Sequence, residues 1–118
     1  MQIIQNLTND AKQKHTIILV NGKRLVLELF FFATQNAWYA NINYNDNEFV
    51  LNGFKIVASP NILYQYKNII DFGLSCECDN FQEPMFIEDF LVGRASLSII
   101  TQDEFVNINT ILENSISG

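Results

Sequence analysis

Through the first half of the chain, apolar and polar residues alternate with a period of two. That rhythm predicts strands with one face buried. His15 to Val20 is a β-branched run that ends at Asn21-Gly22, a pair favoured in tight hairpins because both residues accept left-handed backbone. Leu25 to Phe32 returns, with Leu25, Leu27, Leu29 and Phe31 on one face and Arg24, Val26, Glu28, Phe30 and Phe32 on the other. After the loop Thr34-Gln35-Asn36-Ala37, Trp38, Ala40, Ile42 and Tyr44 point inward while Tyr39, Asn41 and Asn43 point outward. Asn45-Asp46-Asn47-Glu48 makes a turn, and Asn52-Gly53 between Phe49-Val50-Leu51 and Phe54 to Ala58 signals a second hairpin.

At Ser59-Pro60-Asn61 the rhythm changes. Serine before proline suits a helix start, and Ile62, Leu63, Tyr66, Ile69 and Ile70 follow at helical spacing. A short helix or helical turn is expected there, with extended loop packing as the rival. Phe72 to Cys78 reads as a strand with Phe72, Leu74, Cys76 and Cys78 on one face; Asp79 to Phe90 reads as irregular. Ala95 to Thr101 is the last strand. Thr101-Gln102-Asp103-Glu104 then has the form of a capping box. A C-terminal helix is expected over 103–114, fraying into 115–118. Six or seven short strands predict one mainly β domain over 1–118, a small antiparallel barrel or sandwich with a short central helix or helical turn and that C-terminal helix.

At 118 residues the chain can bury one core, and 48% apolar with 17% charged residues describe an ordinary folded domain. No apolar run approaches the ~20 residues of a membrane-spanning helix, and the N-terminus has no secretory pattern, so synthesis and retention in a cytoplasm are expected. The net charge of −6 is lopsided, with +1 over residues 1–59 and −7 over 60–118. Six acids and no Lys or Arg occupy 68–93, a surface that would repel phosphate backbones and so disfavours nucleic acid. It reads either as a solvated acidic rim or as a dock for a basic partner.

Catalytic constellations are thin. The five glycines stand singly, and His15 is the only histidine, so neither a phosphate-cradling loop nor a His-based metal or triad site has material. Cys76 and Cys78 read as two reduced, buried thiols rather than half of a metal site. Glu83, Glu88 and Asp89 lack the spacing of a calcium loop and read as a solvated loop or as partners of Arg94. No cofactor is expected. The aromatic residues are more informative: ten Phe, four Tyr and one Trp exceed what a small core holds. Phe30, Phe32, Phe81, Phe86 and Phe90 fall on the mixed face or in the acidic loop. They either fold back over one end of the domain or bury in a neighbouring chain.

Several pieces, in order, resemble the baseplate plug proteins of contractile-tailed phages. They are Ile3-Ile4 with Leu7; the Lys12-to-Arg24 hairpin; Trp38-Tyr39 with Ile42 and Tyr44; Leu51-Asn52-Gly53-Phe54-Lys55-Ile56-Val57; Ser59-Pro60-Asn61-Ile62-Leu63; Asn68-Ile69-Ile70-Asp71-Phe72-Gly73-Leu74; and Glu88-Asp89-Phe90 leading into Gly93-Arg94-Ala95-Ser96-Leu97. The resemblance covers residues 3–103. It implies a structural virion component made in the host cytoplasm, which closes or lines the end of the tail tube near the hub. Its partners would be other baseplate, hub and tail-tube proteins and the tape-measure protein, around a trimeric or hexameric ring of this chain. The candidate interface residues are then Phe30, Phe32, Phe81, Phe86, Glu88, Asp89 and Phe90. Gly93 would bend the chain so that Arg94 ion-pairs with Asp89 or Glu88 and fixes the loop.

Two other classes compete. One is a small-ligand or carbohydrate-binding barrel with Trp38, Tyr39 and Tyr44 as a stacking platform, although Tyr39 alternates away from the other two. The other is an enzyme using the acidic loop. Discrete self-association favours the structural reading, whereas saturable ligand binding by a monomer favours the barrel.

Overall fold

A computed structural model of the chain describes residues 2–79, 83–101 and 104. Among the described residues, seven strands run in order: β1 (Gln2–Ile3), β2 (Lys12–Ile18), β3 (Arg24–Phe32), β4 (Ala37–Tyr44), β5 (Phe49–Lys55), β6 (Gly73–Cys78) and β7 (Ala95–Ile100). They build two antiparallel sheets, a four-stranded meander β2-β3-β4-β5 and a three-stranded sheet β1-β7-β6. The fold is therefore mainly β, a small sandwich. Among the described residues, no helix is long and apolar enough to cross a membrane.

The period-two pattern decides which faces meet. Leu25, Leu27 and Leu29 of β3 stand opposite Tyr44, Ile42 and Ala40 of β4, and all six are almost wholly buried. Leu74 and Cys76 of β6 with Ala95, Leu97 and Ile99 of β7 supply the facing wall of the same core. Ring contacts fasten the layers: Phe72 packs 4.8 Å from Tyr44, and Phe90 meets Trp38 edge-on at 5.2 Å. The Tyr44 hydroxyl donates to Asp71 Oδ1 (3.0 Å) and accepts from Asn21 Nδ2 (3.0 Å), which ties the β2–β3 loop to the segment before β6. The outer edge of β6 is not left bare. Ser59 and Cys76 exchange backbone hydrogen bonds, and Ile62 N–H donates to Leu74 O, which blunts an edge open to stray pairing.

Several expectations are corrected. The hairpin expected at Asn21-Gly22 is present, with β2 paired to β3, but its turn is longer than the dipeptide. Leu19 N–H reaches Lys23 O across a three-residue loop, with Gly22 left-handed at φ +82°. Asn52-Gly53 is not a hairpin at all but a bulge inside β5. Ala40 pairs with Phe54 and Ile42 with Leu51, so two residues oppose Asn41, whose Oδ1 accepts Gly53 N–H at 2.7 Å. The sequence signal was real, because Gly53 does take positive φ, but it serves a kink rather than a reversal. The reversal lies at Asn45-Asp46-Asn47, three successive left-handed residues of the types that tolerate it. Ser59 pairs with β6 instead of capping a helix, and the central helical element is a single 3-10 turn, Tyr64–Tyr66. Cys76 is buried but Cys78 only half so, and both thiols are free. The two-residue β1 adds a strand that has no alternating run of its own. Thr101 N–H and Oγ1 both donate to Glu104 Oε1, at 3.2 and 2.9 Å, one half of the expected capping box. The helix expected over 103–114 and the tail 115–118 lie outside the described residues, apart from Glu104.

Candidate functional site

The most elaborated local structure is the connection between β6 and β7, and Asp89 organises its described part, residues 83–94. Asp89 Oδ2 accepts the backbone N–H groups of Met85 (2.8 Å) and Phe86 (3.0 Å), while Oδ1 accepts Arg94 Nε at 2.9 Å. Burial alone would raise this carboxyl. The Phe86 N–H, the Arg94 guanidinium and the Met85 N–H together outweigh burial and hold it below the ordinary aspartate range. Arg94 is held in turn. Its Nη2 reaches Glu88 Oε1 at 3.2 Å, and its guanidinium lies 5.7 Å from the Phe86 ring centre. Gly93 at φ +84° makes the reversal that brings Arg94 back over the loop. Two further ties anchor the loop to the meander, Trp38 Nε1 to Phe86 O (3.1 Å) and Lys55 Nζ to Glu83 Oε2 (2.9 Å).

This scaffold holds apolar side chains out in solvent. Phe86 is 57% exposed, Leu91 53% and Val92 56%. A loop folded by hydrophobic collapse would bury such groups. Here backbone hydrogen bonds to a carboxylate fix its shape, so the apolar groups are left free for another surface.

A second aromatic surface lies on the outer face of the meander. Phe30 stands opposite both Lys12 and Tyr39, with Lys12 Nζ 5.9 Å from its ring centre. Phe32, 47% exposed, meets Tyr39 edge-on at 5.2 Å.

The sequence-derived candidates therefore divide. Phe30, Phe32, Phe86 and Glu88 lie at least partly on the surface. Asp89 and Phe90 do not: Asp89 is the buried hub of the loop, and Phe90 is clamped on Trp38. An acid and an aromatic in an acidic loop suggested a surface. Local hydrogen bonding and the indole claim them instead, and Arg94 pairs with both Asp89 and Glu88. Phe81 lies outside the described residues. The exposed Leu91 and Val92 were missed; an apolar pair just before a turn glycine, in a loop with no alternation, was the available signal. Trp38 and Tyr44 are buried in the core, so with Tyr39 outside they form no stacking platform. His15 sits in mid-strand, its Nε2 2.7 Å from Gln13 Oε1, and burial lowers its pKa. Burial, reinforced by Cys78 and Glu77, pushes the Cys76 thiol up to about 12, so it stays protonated. Among the described residues, no group of three His, Cys, Asp or Glu could hold a metal.

A sandwich whose polar clusters brace loops, and whose exposed extras are aromatic and aliphatic, belongs to the class of structural interaction domains. The comparison with protein families makes this specific. The model of the family described as cyanophage baseplate Pam3 plug gp18 matches residues 1–102, and the chain belongs to that family. It is a structural component of the phage tail baseplate. No curated protein matches the chain.

Proposed function

We propose that the chain closes or lines the end of the tail tube of a contractile phage, close to the hub. It is made in the host cytoplasm and built into the baseplate as a homo-oligomer, and it works by contact rather than catalysis. The observation that carries this reading is the family match over residues 1–102, in a family whose description names a plug. The 83–94 loop supplies a suitable device, since Phe86, Leu91 and Val92 stand exposed on a frame braced by Asp89 and Arg94. A plug must hold by many modest contacts and release when the baseplate rearranges. Exposed apolar side chains on a rigid loop give that kind of separable interface.

The test is localisation. Phage carrying a tagged copy, imaged with a tag-directed Fab, should show density on the tail axis at the baseplate end of the tube. Phage bearing Phe86→Ser with Leu91→Ser should incorporate much less of the protein, although the purified variant folds. Density at the baseplate periphery, or full incorporation of the variant, would refute the reading.

A further inference from the structure

The two outer faces of the sandwich differ in charge. On the outside of the meander, Lys12, Lys14 and Arg24 are exposed, and none forms an ion pair among the described residues. Glu28 is the only acid in the four strands, and it stands opposite Lys14 without pairing with it. The aromatic group of this face, Phe30, Phe32 and Tyr39, lies at the end of β3 beside Lys12, with Lys14 one pair further along and Arg24 at the opposite end of the strand. On the far side of the molecule, a groove of about 840 Å³ crosses the end of β6 and the start of β7. Glu77 and Asp79 line it, both exposed and without a side-chain partner among the described residues. Arg94 also lines the groove, but Asp89 and Glu88 already hold it. The exposed Leu91 and Val92 immediately precede, along the chain, Gly93 of the groove wall.

We infer that these two faces dock on each other between copies of this chain, head to tail. The basic aromatic face of one copy would seat on the Glu77–Asp79 groove and the Leu91–Val92 knuckle of the next. Opposite charges set the orientation, and the apolar groups supply the buried core of the contact. Either face docked on its own kind would oppose like charges, which disfavours a two-fold dimer. A nucleic acid on the basic face would gain three cations against a net charge of −6 on the chain. Because the two patches differ, a docked pair keeps one patch of each kind free, so the contact closes into a ring or continues as a stack. The inference rests on the oligomeric part of the reading above and not on the chain's place in the baseplate.

Complementary breakage tests it. One full-length variant carries Lys12→Gln, Lys14→Gln and Arg24→Gln; the other carries Glu77→Gln and Asp79→Gln. Native mass spectrometry and sedimentation velocity follow each alone and a one-to-one mixture, at low and high salt. The wild type should self-associate at low salt and weaken at least tenfold at high salt. Each variant alone should associate at least tenfold more weakly than wild type. The mixture should form a heterodimer and stop there, because one intact patch of each kind remains. A wild type that stays monomeric at low salt, variants that associate like wild type, or a mixture that stays monomeric would each overturn the proposal. So would tight binding of a thymidine oligomer that the basic-face variant abolishes. Baseplate incorporation is scored separately. A monomer that still enters baseplates removes only the self-docking, whereas a self-associating chain absent from baseplates removes only the baseplate role.

Discussion

Asp89 offers the sharpest energetic test of how the 83–94 loop is held. In Asp89→Ala, the N–H groups of Met85 and Phe86 lose their acceptor, and Arg94 loses the inner half of its anchorage. An unsatisfied buried donor costs about 1–3 kcal/mol. Both N–H groups are part-buried, so the lower half of that range applies to each, and the lost contact with the solvent-screened Arg94 adds little. Asp89→Ala should then lower unfolding free energy by about 2–4 kcal/mol, a large share of the ~5–15 kcal/mol typical of a domain. Arg94→Ala leaves both N–H bonds intact. The arginine side chain is 45% exposed, so solvent screens the pair and the loss should be clearly smaller than that of Asp89→Ala. Asp89→Asn should fall between, because an amide oxygen can still accept the N–H groups but its NH₂ meets the guanidinium. The sign with pH follows from a folded-state pKa below the unfolded one. Asp89 contributes its full stability above its unfolded value near ~3.9 and loses it as pH falls through the folded value. Urea unfolding from pH 7 down to 3 should show the wild-type advantage over Asp89→Asn shrinking with acid. An Arg94→Ala loss equal to or larger than that of Asp89→Ala would refute the reasoning, since the guanidinium and not the backbone donors would then hold the loop.

Three other outcomes are expected. A Cβ on Gly73 would lie 2.5 Å from Ile100 Cδ1 and 2.7 Å from Asn61 Oδ1, both on buried residues, so Gly73→Ala should cost about 1–3 kcal/mol in chemical denaturation. Tyr44→Phe deletes the donor to Asp71 and the acceptor for Asn21, and should cost about 1 kcal/mol, read as a lower melting temperature with native strand content unchanged. With iodoacetamide near pH 8, intact-mass analysis should show the half-buried Cys78 alkylated well before Cys76, which is buried and held as a thiol, and both modified at once in denaturant. Equal rates in the native protein would contradict the burial of Cys76.

What the chain carried on its own face was the alternation. Leu25-Leu27-Leu29 and Trp38-Ala40-Ile42-Tyr44 announced their strands and their buried side, because the pleat puts every second residue on one face and only one face can leave water. The turn at Asn45-Asp46-Asn47 was legible for an equally local reason, the tolerance of Asn and Asp for left-handed backbone. Asn52-Gly53 shows where local reading ends. The same dipeptide suits a reversal or a bulge, and only the register of β5 against β4 selects the bulge. The surface was decided the same way. Phe90 and Phe86 sit four residues apart in one acidic loop, yet Trp38 takes the first as a core contact while its indole N–H fixes the carbonyl of the second. Asp89 looked like surface charge until three donors from Met85, Phe86 and Arg94 converged on it. Burial of a strand face is written in a residue's nearest neighbours, whereas burial of a loop side chain depends on which distant element packs against it.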